Sequence, residues 1–426
     1  MLKIYHEDPV IIDRHIGHLE QREATHHFCK TGTAPHGTLL ASYGLHPDVV
    51  VPPDVYVRVD VPRARHPVYK FRPREAYPDY RWPFMGACCR SEDAGRSWSK
   101  PVLGTSCNAA AAVGARTVCL NGEPAYLFAV EPGLAVTSMG ESDDDGRTWR
   151  DRPDVYFHYP PDLGLCVEDS CVAGARVIGN FDNRASFKRL SDGSLVTFVM
   201  VSVDRSRPGD PWSRWLIPLM FRSTDGGYNF QFVSLPAGMP PLKQTEATRG
   251  VRALVEPGLA ELPNGELLAV FRTGYHQPDR VMLQARSSDG GVSWSELIVC
   301  PGVPRYYPVR RLQPIVNEGK THMNNAGVSP WLAALPSGVV AMVYGRPGLH
   351  ITFSEDGTGS EWRDRIPIVP EPSLFGVNCD SSAMAGVEAV GENELVVVYD
   401  IHNYKPPDGG PVGNTVFSLR MTVEKA

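Results

Sequence analysis

The chain has 426 residues, a formal net charge of −6, 40 glycines and 38 prolines. So mild an acidic balance gives no sign of nucleic-acid binding. No run reaches the roughly eighteen apolar residues of a membrane-spanning helix, and no stretch keeps the period of a long amphipathic helix. Short apolar runs between Gly- and Pro-rich turns read as an all-β chain.

The first residues, Met1 to about Arg22, read as a strand that returns to the end of the chain. The segment Met1 to Pro9 lacks the apolar core of a secretory signal. As given, the chain reads as cytoplasmic, and as secreted or periplasmic if a leader was removed. Six turn signals follow, each leading into an apolar strand. They are His36-Gly37, Asn121-Gly122, Asp192-Gly193, Asn264-Gly265, Ser337-Gly338 and Gly391 to Glu394. Each reads as the turn between the first and second strands of a repeated unit. Two insertions break the spacing, Tyr43 to Ala87 and Pro301 to Met323. Loops of that length on a rigid scaffold often line binding sites.

A second signal alternates with the first. Ser91 to Trp98, Ser142 to Trp149, Ser223 to Phe230 and Ser287 to Trp294 share the pattern Ser-x-Asp-x-Gly-x-x-aromatic. Ser354 to Trp362 is a looser copy with one extra residue. Ser and Asp side chains bond the backbone of their own turn, and Gly supplies the positive φ that a tight hairpin needs. A pattern recurring every 51 to 81 residues marks a repeat architecture. The expectation is one all-β domain over 1–426, a six-bladed propeller, with seven blades the alternative. The nine cysteines are odd in number and show no metal spacing, so they read as free core thiols with no cofactor implied.

These copies resemble the Asp-box, or BNR repeat, of the sialidase superfamily, over about residues 20 to 400. The resemblance implies a glycan substrate, bound where the strands meet the axis. In that family three arginines hold a sugar carboxylate, a Tyr–Glu pair lies beneath the anomeric carbon, and a loop Asp is the acid/base. Glu256 lies nine residues before Gly265 and Arg272 sixteen after Glu256, which is similar to the family's Glu…Arg segment. Arg346, eight residues before Ser354, is similar to the third arginine. The first arginine is not matched: its position falls on His27, in Thr25-His26-His27-Phe28. Arg184, at the offset of Glu256, is the candidate replacement for its charge. The family tyrosine is also unmatched, since its position falls near Ser382. Tyr307, Tyr344 and Tyr399 are the other phenols considered. Asp48 and Asp54, in the first insertion, bracket the acid/base position.

Three functions follow, in order of preference. The first is exo-acting hydrolysis of a terminal anionic sugar, sialic or uronic, with Glu256 and a loop Asp as the carboxylate pair. The second is β-elimination on a uronate, as in propeller polysaccharide lyases, with His27 or His26 and a tyrosine moving the proton. The third is a propeller that binds carbohydrate without catalysis. No nucleic-acid or membrane partner is implied, and the sequence does not speak to oligomeric state.

Overall fold

The computed structural model describes residues 1–16, 26–45, 85–103, 109–120, 126–169, 176–181, 185–204, 214–238, 242–243, 245–251, 253–273, 281–303, 316–317, 320–321, 327–345, 348–370, 381 and 384–426. The described chain is almost entirely β, with one 3₁₀ turn at Pro161–Leu163. None of its helices is long and apolar enough to cross a membrane.

The strands form consecutive antiparallel groups. The first is His26–Thr33, Leu39–Leu45, Met85–Ser91 and Val102–Leu103. The second runs Ala110–Val113, then Arg116–Leu120 with Tyr126–Glu131, then Leu134–Ser142 and Arg150–His158. The third is Arg176–Asn180 with Lys188–Arg189, Leu195–Asp204, Arg214–Ser223 and Asn229–Ser234. Next come Leu254–Glu261, Leu267–Thr273, Met282–Ser287 and Ile298–Val299. They are followed by Val328–Ala334, Val340–Gly345, Leu349–Ser354 and Arg363–Val369. Gly386–Ala389, Glu394–Tyr404 and Gly413–Lys425 end the series. The N-terminal strands Leu2–His6 and Val10–Ile16 both pair with Gly413–Lys425, so the two ends of the chain share one sheet, as the sequence implied.

Innermost strands pack side by side and return to the start. Leu254–Glu261 meets Val328–Ala334, which meets Gly386–Ala389, which meets His26–Thr33. The ring needs small residues where backbones approach. A Cβ on Gly258 would stand 2.3 Å from the Pro330 carbonyl oxygen, and one on Gly32 would stand 2.4 Å from that of Ala110. The core then fills the wedges between groups. Val196, Phe198 and Met220 pack with Leu267 and Phe271; Leu268 and Val270 pack with Leu332, Met342 and Trp362; and Cys29, Leu39 and Tyr43 pack with Val396, Val398 and Val416. Each fully buried aliphatic or aromatic side chain there contributes about 1.5–3 kcal/mol.

The Ser-x-Asp turns share one geometry. In all five the Ser Oγ donates to its Asp at 2.6–2.8 Å and accepts the N–H of a turn glycine at 2.7–2.9 Å. In the first four, two successive residues are left-handed: Ala94 and Gly95, Asp145 and Gly146, Gly226 and Gly227, Gly290 and Gly291. The fifth places Thr358 between Gly357 and Gly359, which is the extra residue seen in the sequence. The aromatic reaches back to the preceding group. Trp98 Nε1 donates to Ser418 Oγ at 2.9 Å, Trp294 Nε1 to Ser234 Oγ at 3.0 Å, and Trp362 Nε1 to Gln284 Oε1 at 3.1 Å.

Five of the six turn assignments hold, each closed by a backbone bond such as Leu262 N–H to Glu266 O at 2.7 Å. Asn121-Gly122 lies outside the described residues, and it is not the first turn of its group. The first turn of its group is Gly114 and Ala115, between Val113 and Arg116. Arg116–Leu120 and Tyr126–Glu131 then pair with the same third strand, on either side of 121–125. A glycine with φ +58 after four apolar residues makes that turn without a polar signal. The first insertion is also shorter than expected, because Tyr43–Leu45 and Met85–Ala87 belong to paired strands. Residues 46–84 of the first insertion and 304–315, 318–319 and 322–323 of the second lie outside the described residues. Among the described residues the cysteines Cys29, Cys88, Cys89, Cys119, Cys166 and Cys300 form no disulfide, and all but Cys166 are buried. Burial, the largest cause, pushes Cys89 up to about 12, so it packs as an inert apolar group.

Candidate functional site

Counting back from the residue that opens each first turn places the inner strands in common register. Those residues are Ala34, Leu190, Leu262, Leu335 and Val390, whose N–H groups bond the far side of the turn. Six residues before Leu262 stands Glu256, and six before Leu335 stands Ser329. At both points the ladder slips, between Val255 and Gly258 and between Val328 and Trp331. The same bulge recurs between His27 and Lys30. Pro257 and Pro330 fill two of these bulges, where an unpaired backbone N–H would otherwise be stranded.

Glu256 and Ser329 both hold left-handed backbone, with φ of +48 and +51. A residue with a Cβ is strained there by about 1–3 kcal/mol, and such strain collects at functional sites. Glu256 is 2% exposed and Arg272 is 2% exposed. Glu256 Oε1 accepts from Arg272 Nη1 in a buried ion pair, and Oε2 accepts from the Ser329 backbone N–H at 2.8 Å. One carboxylate thus joins two strands of its own group to the inner strand of the next.

A second cluster lies nearer the turns. Lys188 and Glu388, each two residues before its turn-opening residue, approach at 3.6 Å. Glu388 Oε1 also accepts from Thr31 Oγ1 at 3.1 Å, and the Lys188 ammonium lies 5.3 Å from the Trp331 ring centroid. Four inner strands meet here through side chains. The sequence reading missed Ser329, Lys188, Glu388, Thr31 and Trp331. The count that singled out Glu256 reaches Ser329 alone, whereas Lys188, Glu388, Thr31 and Trp331 stand two to four residues before their turn-opening residues.

The remaining expectations divide cleanly. Glu256 and Arg272 are brought together, but as partners of one another, so the guanidinium expected to hold a substrate carboxylate holds Glu256. Arg184, Arg346, Asp48 and Asp54 lie outside the described residues, as do Tyr307 and Ser382. His26 and His27 lie on the inner strand His26–Thr33, while their side chains lie outside the described residues. By register His27 shares the offset of Val255 and Val328, both buried, and Phe28 shares that of Glu256. Tyr344 and Tyr399 are buried at 1% and 3% exposure. Tyr344 stacks on His350 and Tyr399 on Phe417. Burial, then the neighbouring Tyr404, raises the Tyr399 phenol well above its ordinary range, so it is no phenolate nucleophile as placed. Among the described residues no group of His, Cys, Asp or Glu could hold a metal ion.

A closed, all-β, propeller-like ring with a strained carboxylate on one inner strand defines the class. Within it, the BNR repeat-like domain model matches residues 118–389, and the chain belongs to that family. No curated protein matches the chain. A solved protein of unknown function from Dyadobacter fermentans is 14% identical, with 99% of each chain covered and a TM-score of 0.58, so it shares the fold. A Trypanosoma rangeli sialidase is 13% identical with a TM-score of 0.49, over 98% of this chain and 58% of that one. The NanB sialidase from Streptococcus pneumoniae is 12% identical with a TM-score of 0.48, over 98% of this chain and 71% of that one.

Proposed function

We propose that the protein is a glycan-active, six-bladed propeller that removes a terminal anionic sugar, of sialic or uronic type, by hydrolysis. The observation that carries this reading is Glu256. It is a buried carboxylate on a left-handed backbone, fixed at both oxygens by Arg272 and the Ser329 N–H. An idle ion pair gains nothing from that strain, whereas a reacting carboxylate needs a fixed position. Glycoside hydrolysis needs a second carboxyl group, and Asp48 or Asp54 remains the proposed acid. Arg346 and Arg184 remain the proposed partners of the sugar carboxylate, by bidentate hydrogen bonding.

A second reading has its own observation. Tyr344 and Tyr399 are buried in the core, and Arg272 is closed onto Glu256. Both facts suit a ring that binds an anionic sugar without cleaving it. The test is product mass after incubation with sialylated and uronate-capped oligosaccharides in heavy-oxygen water. Heavy oxygen in the released sugar supports hydrolysis. A product lighter by one water, with no heavy oxygen, overturns it in favour of elimination through His27 or His26. Binding without any product leaves the non-catalytic reading.

A further inference from the structure

The strand Val328–Ala334 carries two buried donors that no described group accepts, the Ser329 hydroxyl and the Trp331 indole N–H. Each residue is 1% exposed. A buried donor without an acceptor bears its full desolvation penalty. Among the described residues Thr117 and Ser337 also carry a buried hydroxyl without a partner, but the other indoles described below and the turn serines are matched. The indoles of Trp98, Trp149, Trp294 and Trp362 all donate, and so do the serine hydroxyls of all five Ser-x-Asp turns. Ser329 combines its unmatched hydroxyl with a φ of +51, two costs at one residue. Its location is also informative: its N–H holds Glu256, while Trp331, two residues on, lies beside Lys188. The strand therefore runs from the candidate carboxylate to the cation of the inner cluster.

We propose that Ser329 Oγ and Trp331 Nε1 are ligand-binding donors. They receive hydroxyl or carboxylate oxygens of an anionic sugar that enters along the axis past Glu256, and Lys188 supplies the positive charge at its inner end. An acceptor-rich, negatively charged ring matches this donor set, and a neutral apolar ligand would leave it unmatched. The inference rests on the anionic-sugar reading of the site.

The test is isothermal titration of wild type, Ser329→Ala and Trp331→Phe with N-acetylneuraminic acid and with glucuronic acid, alongside melting temperatures without sugar. The expected result is about tenfold weaker binding in each variant, with the melting temperature of Ser329→Ala at or above wild type because an unmatched donor has gone, and that of Trp331→Phe lowered by the cavity it leaves in the core and so not diagnostic. Weaker binding by Ser329→Ala with a lowered melting temperature indicates a structural role and overturns the proposal. Unchanged binding, as when a buried water already serves the donor, overturns it as well. If Trp331→Phe does not fold, Ser329→Ala decides alone. A wild type that binds neither sugar removes the anionic-sugar reading and this proposal together. A wild type that binds, with variants that bind equally, removes only this proposal.

Discussion

The Ser-x-Asp turns and the bulged inner strands both hold left-handed backbone, and they treat it in opposite ways. In the turns, glycine takes most of those positions, and each Ser and Asp is bonded within its own hairpin. At the bulges Glu256 and Ser329 take them with full side chains, against a buried charge. The turns repeat because they solve one folding problem at successive groups: closing a hairpin and clasping the neighbouring sheet. The bulges share a backbone but not a side chain, carrying glutamate in one strand and serine in the next. A shared frame with differing side chains is what a ligand-facing surface requires, because each strand supplies a different contact.

The largest effect expected is at the bulge. Glu256→Ala leaves Arg272 buried without its carboxylate, and should cost about 3–5 kcal/mol in urea unfolding. Glu256→Gln keeps the oxygen that accepts from Ser329 and should cost less. A loss under 1 kcal/mol for the alanine variant would show that the site is wetter than its 2% exposure implies.

Gly258→Ala tests the close approach beside the bulge. Its Cβ would stand 2.3 Å from the Pro330 carbonyl oxygen, and overpacking of this kind costs about 1–3 kcal/mol. Gly265→Ala is the control: nothing lies within 4 Å of its Cβ, and only its φ of +83 opposes the change. Equal melting temperatures would mean that the neighbouring strand moves aside.

The turns should dominate acid unfolding. Partial burial works to raise Asp93, but hydrogen bonds from Ser97, Ser91 and the Arg96 N–H outweigh it and hold the carboxyl at about 2. Ser293, by side chain and then backbone, with Ser287, holds Asp289 at about 2. A folded-state pKa below the unfolded value near 3.8 gives stability that is complete above that value. It is lost as pH falls from about 4 towards 2. The stability of Asp289→Asn should fall less steeply over that window, and an unchanged slope would count against the turns as the titrating groups.

The smallest effect expected is a gain. Ala94 is left-handed at a turn position where three other copies hold glycine, Gly226, Gly290 and Gly357. Ala94→Gly should stabilise by ~0.5–1 kcal/mol through relief of that strain. A fall in melting temperature would show that the methyl packs usefully.

Much of the ring was legible in the sequence, for a local reason. Asp-Gly and Asn-Gly turns, the Ser-x-Asp pattern and apolar strands all act over a few residues, so Asn264-Gly265 and Ser287 to Trp294 could be placed from spacing alone. Gly114-Ala115 was missed because its glycine has no polar companion to mark it. Glu256 and Arg272 stand out by spacing and by resemblance to the family's Glu…Arg segment, with a salt bridge across the inner strands as the alternative for each, and the structure shows that ion pair. Which of two buried charges meets a substrate and which meets its neighbour depends on bulges that no side-chain pattern announces. Ser329 was missed for a related reason: serine draws notice in a turn and none in an apolar strand, until its φ and its unmatched hydroxyl are known.

The measurement that bears most directly on the central claim is the rate at which wild type and Glu256→Gln release a terminal sialic or uronic acid. The melting temperature of each should be taken in the same buffer. The account predicts release by wild type and none by a folded Glu256→Gln protein. Release at the wild-type rate by that variant would contradict it, and would leave Glu256 and Arg272 as a structural ion pair.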